Sequence, residues 1–247
     1  MVSGARELAA ARWPWRDSGA GPLPGLLLVL TVVTGMVDAV SYVALGHVFV
    51  ANMTGNVVFL GFAIAGVAGL SAKASLVALG SFALGALAGG RAGARLGSHR
   101  GRYLSAVAAA GALLAALATV GAALAGQPVS QAASYGLIVP LAIATGAQNA
   151  MARQLAVADL TTTVLTMTVT GIAADSQLAG GAGGHPARRL TAVAAMALGA
   201  LASALLVLNV DIVAPLAIVT GLLAATALVA HIRSAPDAPW ARPPARS

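Results

Sequence analysis

Cysteine is absent from the 247-residue chain, and charge is scarce: 9% of residues are Asp, Glu, Lys or Arg, against about 25% in an average soluble domain. Without cysteine there are no disulfides, iron–sulfur clusters or thiolate metal sites, although nothing follows about compartment. With so little charge the chain cannot cover a water-facing surface. Aromatics are also few, at 4%, and do not interleave with the arginines. The net charge of +7 therefore does not describe a nucleic-acid surface, and no such partner is expected. Instead the arginines flank apolar runs, as orientation in a bilayer requires. The histidines at 47, 99, 185 and 231 lack i,i+4 pairing and carboxylate company, so no metal and no cofactor is expected. A nucleophile–base pair is lacking too, which argues against an enzyme and leaves no catalytic residue to name.

What the chain does have is apolar length. Hydrophobic residues make up 59%, with a mean hydropathy of +0.88. Eight apolar segments lie at roughly 25–45, 48–70, 74–90, 104–125, 135–151, 161–174, 190–209 and 212–231. Several approach the roughly 20 residues of a spanning helix. Strands could span only as a closed barrel with alternating segments, and that alternation is missing. The expected fold is all-α: a polytopic membrane helix bundle whose first partner is the lipid bilayer. It forms one membrane domain, 25–232, with halves at about 25–125 and 135–232. Residues 1–24 lack the apolar core of a cleavable signal; Trp13 and Trp15 beside Arg12 and Arg16 fit an interfacial anchor or a cytoplasmic tail. The proline- and arginine-rich tail 233–247 has no reason to fold.

The halves look related. Thr34-Gly35-Met-Val-Asp38-Ala39 ends one apolar segment, and Thr145-Gly146-Ala-Gln-Asn149-Ala150 ends another 111 residues later. Each precedes a hydroxyl-rich helix start, NMTGNVV or LTTTVLT. If all eight segments span from a cytoplasmic N-terminus, Arg91, Arg95, Arg100 and Arg102 face outside, against the positive-inside rule. If 48–70 and 161–174 instead enter and leave on one side, nearly all arginines become cytoplasmic, as do both termini. The favoured scheme is six full spans plus two re-entrant or broken elements, with eight spans as the alternative. Three spans per half would make the repeat an inverted one.

Gly85, Gly89, Gly93, Gly97 and Gly101 recur at every fourth position, with Ser81 upstream. At helical pitch this is a stripe where another backbone can approach closely. It serves as a seam within the chain or, in the sharper reading, as a homodimer seam.

Asp38 sits well inside an apolar segment, where a carboxylate costs about 2.5–3.5 kcal/mol on insertion scales. It reads as a proton- or cation-coupling group, or as half of a structural ion pair with Arg153. Asn149 takes the equivalent position in the other half, beside Gln148. It offers a neutral wall to a site, or simply a bond to a neighbouring helix. Asn52, Thr54, Gly55 and Asn56 have the composition of a self-capped helix N-terminus. Inside a membrane such a terminus suits a polar or anionic ligand. Thr162, Thr163 and Thr166 would face it from the other half, placing a substrate or ion between 52–56 and 161–166. The plainer reading makes NMTGN an interfacial cap.

The blocks G-x-x-D-A-x-S-Y (Gly35–Tyr42), F-V-A-N-M-T-G-N (Phe49–Asn56) and T-T-V-L-T (Thr162–Thr166) span both halves. On these the chain resembles the YoaK-type family of bacterial multi-pass inner-membrane proteins of unknown function. The resemblance implies a bacterial inner (plasma) membrane location and supplies neither substrate nor catalytic residue. Residue by residue, the reading is a small secondary transporter or permease for an unidentified small solute or ion. The alternative is a non-transporting scaffold or lipid-handling protein.

Overall fold

The computed structural model describes residues 21–126, 128–155, 165–176, 179–180, 186–235 and 238–241, and its regular structure is helical throughout. The helices are α1 (Leu23–Ala44), α2 (Met53–Ile64), α3 (Ala72–Leu96), α4 (Arg100–Ala125), α5 (Gln131–Leu155), α6 (Leu165–Ala174), α7 (Pro186–Asn209) and α8 (Val213–Arg233). Five of them, α1, α3, α4, α7 and α8, are long and apolar enough to cross a membrane. At 25 residues α5 is as long as α3, but Gln148, Asn149 and Arg153 make it less apolar. The 12 residues of α2 reach only about 18 Å, short of a hydrocarbon core of about 30 Å.

Local chemistry sets several of the ends. Pro24 lies in the first turn of α1, where a missing N–H is harmless. The Ser71 hydroxyl accepts from the Ala74 N–H at the start of α3, at 3.2 Å. His99 Nδ1 accepts from the Arg102 N–H at the start of α4. The Asp211 carboxylate accepts from the Ala214 N–H, 2.8 Å away, at the start of α8.

The long helices pack in pairs. Helix α1 lies along α7 in the same direction: Val32 meets Gly199, and one turn on the Ser203 hydroxyl donates to the Met36 carbonyl at 2.9 Å. Helix α3 lies along α5, also in parallel, with Gly85 on Ile143, Gly89 on Ala147 and Gly93 on Gln154. The third pair, α4 and α8, is antiparallel: Thr119 and Thr220 hydroxyls pair at 3.2 Å, and Ser105 donates to the Ala227 carbonyl.

Glycine makes the first two pairings close, and it does so in the same way twice. A Cβ on Gly35 would lie 3.0 Å from the Ala200 nitrogen, and one on Gly146 would lie 2.9 Å from the Ala86 nitrogen. In both cases the carbonyl oxygen one turn earlier, of Met196 or Phe82, is nearer still. From the opposite side, Gly199 presses on Val32 and Gly85 on Ile143. Thus Gly35 and Gly146, each the second residue of a T-G-x-x-D/N-A stretch, share a place in the packing.

The glycine stripe is therefore filled by α5 of the same chain as far as Gly93, where Gln154 lies over it. Gly97 is different. It caps the end of α3, and a Cβ there would strike its own helix at Gly93. Gly101 instead faces Ser234 and Trp240. The tail also departs from expectation: residues 239–241 form a 3-10 turn. Trp240 is buried there against Gly21 and Gly101, and its indole N–H donates to the Arg233 carbonyl at 3.2 Å. Two glycines at helix starts leave room for the ring, which composition alone does not reveal.

Candidate functional site

After α1 ends at Ala44 the chain reverses at Gly46 and His47, both with positive φ (97° and 56°). It then runs back along α1. Asp38 lies six residues before the end of α1, about 9 Å down its axis. At that level its Oδ1 accepts from the backbone N–H groups of Val50 (3.0 Å) and Ala51 (2.8 Å). Two residues later α2 begins. The positive end of α2 and the amides before it thus meet a carboxyl oxygen supplied by the chain itself, an acceptor that helix termini favour.

This revises the self-capped reading of NMTGN. Asn52 is the N-cap of α2, but its side chain makes no capping bond. Asn56 is fully buried and turns back: its Oδ1 accepts from the Phe49 N–H (2.8 Å) and its Nδ2 donates to the Phe49 carbonyl (2.6 Å). Gly55 leaves space for the Phe49 ring, which a Cβ would approach to 2.6 Å. Thr54 is exposed. Of the four residues, Gly55 and Asn56 define how the returning segment folds, and the helix-start chemistry the stretch resembles is provided by Asp38 from a distance.

Phe49 also stacks on Tyr42 and Phe59, with ring centroids 5.3 and 5.5 Å apart, and His47 meets the edge of Tyr42. Three of the chain's few aromatics thereby fasten α1, the returning segment and α2 together.

Asp38 does not pair with Arg153. That arginine is exposed near the end of α5, and the ion pair among the described residues is Arg189 with Asp175, at 2.6 Å. Asp38 Oδ2 is buried and has no hydrogen-bond partner, leaving the carboxylate half used.

The other half contributes Thr145 and Gln148 from α5. Thr145 Oγ1 donates toward the Val50 carbonyl and also lies 3.0 Å from the Leu141 carbonyl of its own helix. One peptide, that of Val50, is therefore held through its N–H by Asp38 and through its carbonyl by Thr145. Gln148 Nε2 reaches across to the Leu30 carbonyl (3.2 Å) and Thr34 Oγ1 (3.0 Å) on α1. Asn149 is half-buried, with its Nδ2 donating to the Thr145 carbonyl at 2.9 Å. The expected bond to a neighbouring helix is thus made by Gln148. Thr34 and Thr145 were visible as the first letters of the repeated motif; the Val50 peptide, a backbone group, carries no signal in composition.

A small cavity lies beside these groups, between α1, α4, α5 and α8. It has about 10 Å³ of room for a water-sized sphere, roughly one molecule's worth. Its polar lining is Thr145 and Gln148; Val33, Val37, Ala144 and Leu223 are among the apolar neighbours. Thr166 is exposed on α6. Thr162 and Thr163 lie outside the described residues, so the structure brings Asp38, Thr145 and Gln148 together and leaves the threonine wall without a position. Among the described residues no group of three His, Cys, Asp or Glu could hold a metal ion.

Long apolar helices joined by short turns, with buried polar side chains bonded between them, define a multi-pass α-helical membrane protein. The chain belongs to the family described as "Protein of unknown function (DUF1275)", whose model matches residues 26–229. It is 35% identical over 158 residues to the UPF0700 transmembrane protein YoaK of Bacillus subtilis (strain 168), a match covering 61% of this chain and 65% of that relative. No solved structure matches the chain.

Proposed function

We propose that the protein is a small secondary transporter or permease of a bacterial inner membrane, and not an enzyme, with Asp38 as its coupling group. In this reading α5 is a sixth span, and α2 and α6 each belong to an element that enters and leaves on one side, so the helices form two three-span halves of opposite orientation. The parallel pairing of α1 with α7 and of α3 with α5, each through the same glycine crossing, is what such an inverted repeat requires. Both termini are then cytoplasmic, at the end where the arginines gather.

The observation that carries the proposal is the half-used carboxylate of Asp38, buried at the tip of an interrupted helix and next to the contact between halves. An ionisable group in that place is expensive, and transporters put such groups where helices break. Because Asp38 already occupies the amides before α2, the group left to bind is its own Oδ2. That makes a proton or a small cation the natural coupling species, and an anionic solute a poor fit to this terminus.

A second reading, a scaffold or lipid-handling protein without transport, draws on a different observation. Thr34, Thr145, Gln148 and Asn56 all find partners inside the chain, as groups that only hold helices together would.

A thermal-shift screen of small polar, cationic and anionic solutes on the purified protein, followed by uptake of each hit into proteoliposomes, separates the two. The transport reading expects a hit whose uptake follows an imposed pH or sodium gradient and loses that dependence in a folded Asp38→Asn variant. It is abandoned if no solute both binds and crosses, or if Asp38→Asn behaves as the parent does.

A further inference from the structure

Among the described residues, five exposed arginines collect at one end of the bundle. Arg91 and Arg95 lie in the last turns of α3, and Arg102 lies in the first turn of α4. Gln154 packs over Gly93, which brings the neighbouring Arg153 to the same level. Arg233 ends α8, beside the Ser234 that touches Gly101. Arg91, Arg95, Arg102, Arg153 and Arg233 are exposed. The acid described at this end, Asp175, is taken by Arg189.

One of these arginine groups continues an apolar surface. Counted along α3, Leu84, Leu87, Arg91 and Arg95 are spaced three, four and four residues apart, which puts them on one face. That face is opposite the glycine stripe that packs on α5. Leu84 and Leu87 are 62% and 53% exposed, and the leucine face ends in two guanidinium groups one turn apart. Two leucines that need hydrocarbon lead directly to two cations that need an anion at headgroup depth.

We propose that this face of α3 is a binding site for an anionic phospholipid, with acyl chains along Leu84 and Leu87 and the headgroup phosphate held by Arg91 and Arg95. Guanidinium groups bind phosphate through paired N–H bonds. A zwitterionic lipid presents the same phosphate already accompanied by its own ammonium, so charge complementarity favours phosphatidylglycerol or cardiolipin. The site is independent of the transport reading.

Purified full-length protein in neutral detergent is titrated with phosphatidylglycerol, phosphatidylcholine of the same chains, or inorganic phosphate, reading bound lipid by native mass spectrometry and the melting temperature in parallel. The expected result is retention of phosphatidylglycerol with a raised melting temperature, and neither effect from phosphatidylcholine or phosphate. In the double variant Arg91→Gln/Arg95→Gln, binding is about 30-fold weaker; Lys73→Gln, at the other end, binds as the parent does. Arg91→Lys/Arg95→Lys keeps the charge without the fork, and an intermediate loss is expected from it even if the glutamine variant does not fold. Equal retention of phosphatidylcholine overturns the proposal. So does a full effect from inorganic phosphate, which marks a soluble-anion site, or an equal loss in Lys73→Gln, which marks a net-charge effect.

Discussion

Adding a single methyl group should have opposite effects at two glycines of this bundle. In Gly146→Ala the new Cβ would sit 2.9 Å from the Ala86 nitrogen and nearer still to the Phe82 carbonyl oxygen. Both are backbone atoms of α3, which cannot rotate away, so the two helices must separate along the whole crossing. Overpacking of a tight site costs about 1–3 kcal/mol, against which alanine returns about 1 kcal/mol of helix propensity. In Gly111→Ala the nearest neighbours are the methyl carbons of Leu223, at 3.7 and 3.8 Å, an ordinary contact on the wall of the cavity. There the propensity gain is unopposed, and stabilisation of up to about 1 kcal/mol is expected. Thermal unfolding of the two variants and the parent in one detergent, followed by loss of the folded species on size-exclusion chromatography, checks the sign of each change. Net destabilisation of Gly146→Ala is then up to about 2 kcal/mol, and a Gly146→Ala protein more stable than the parent, or a Gly111→Ala protein less stable than it, would refute the close-crossing geometry.

Two further variants probe the returning segment. Asp38→Ala strands the Val50 and Ala51 N–H groups in a buried position, at about 1–3 kcal/mol each, whereas Asp38→Asn keeps an acceptor for them; unfolding should rank parent and Asn together and Ala well below, and equal stability of all three would show that the segment does not depend on Asp38. Asn56→Ala removes both bonds to the Phe49 peptide, so hydrogen exchange across 48–52 should accelerate while that of α4 and α8 stays unchanged; unaltered exchange at 48–52 would mean that the aromatic stack holds the segment without Asn56.

Much of the architecture could be read from the sequence, because the bilayer allows few solutions. Apolar length marked the helices, and the fourfold glycine spacing marked the α3 seam, although its partner, α5 of the same chain, had to come from the structure. The site was harder. Asn52, Thr54, Gly55 and Asn56 look like a helix cap because capping residues and turn-forming residues are chemically the same set. What separates the two roles is where the carboxamide points, and Asn56 points to Phe49. Likewise an acid and a base inside apolar segments suggest an ion pair, but Arg153 stands within one turn of the end of α5 and can reach water. Asp38 answers to backbone amides instead, and these are present in every sequence and distinctive in none.

The double hold on Val50 links the group that can change charge to the contact that can move. Its N–H is fastened to α1 by Asp38 and its carbonyl to α5 by Thr145, so the peptide lies in series between the halves. If α5 shifts relative to α1, either the Thr145 bond or the Asp38 bond must lengthen. A change on the carboxylate alters the strength of only one of them, since a bond to a charged acceptor is roughly twice as strong as one to a neutral acceptor. In the transport reading, a proton or cation arriving at Oδ2 would weaken the α1 side and let the returning segment follow α5. In the scaffold reading the same bonds simply hold the segment against both helices. Replacing Thr145 with Val, nearly isosteric but without the hydroxyl, would therefore disturb transport and Asp38 dependence together in the first case and stability alone in the second.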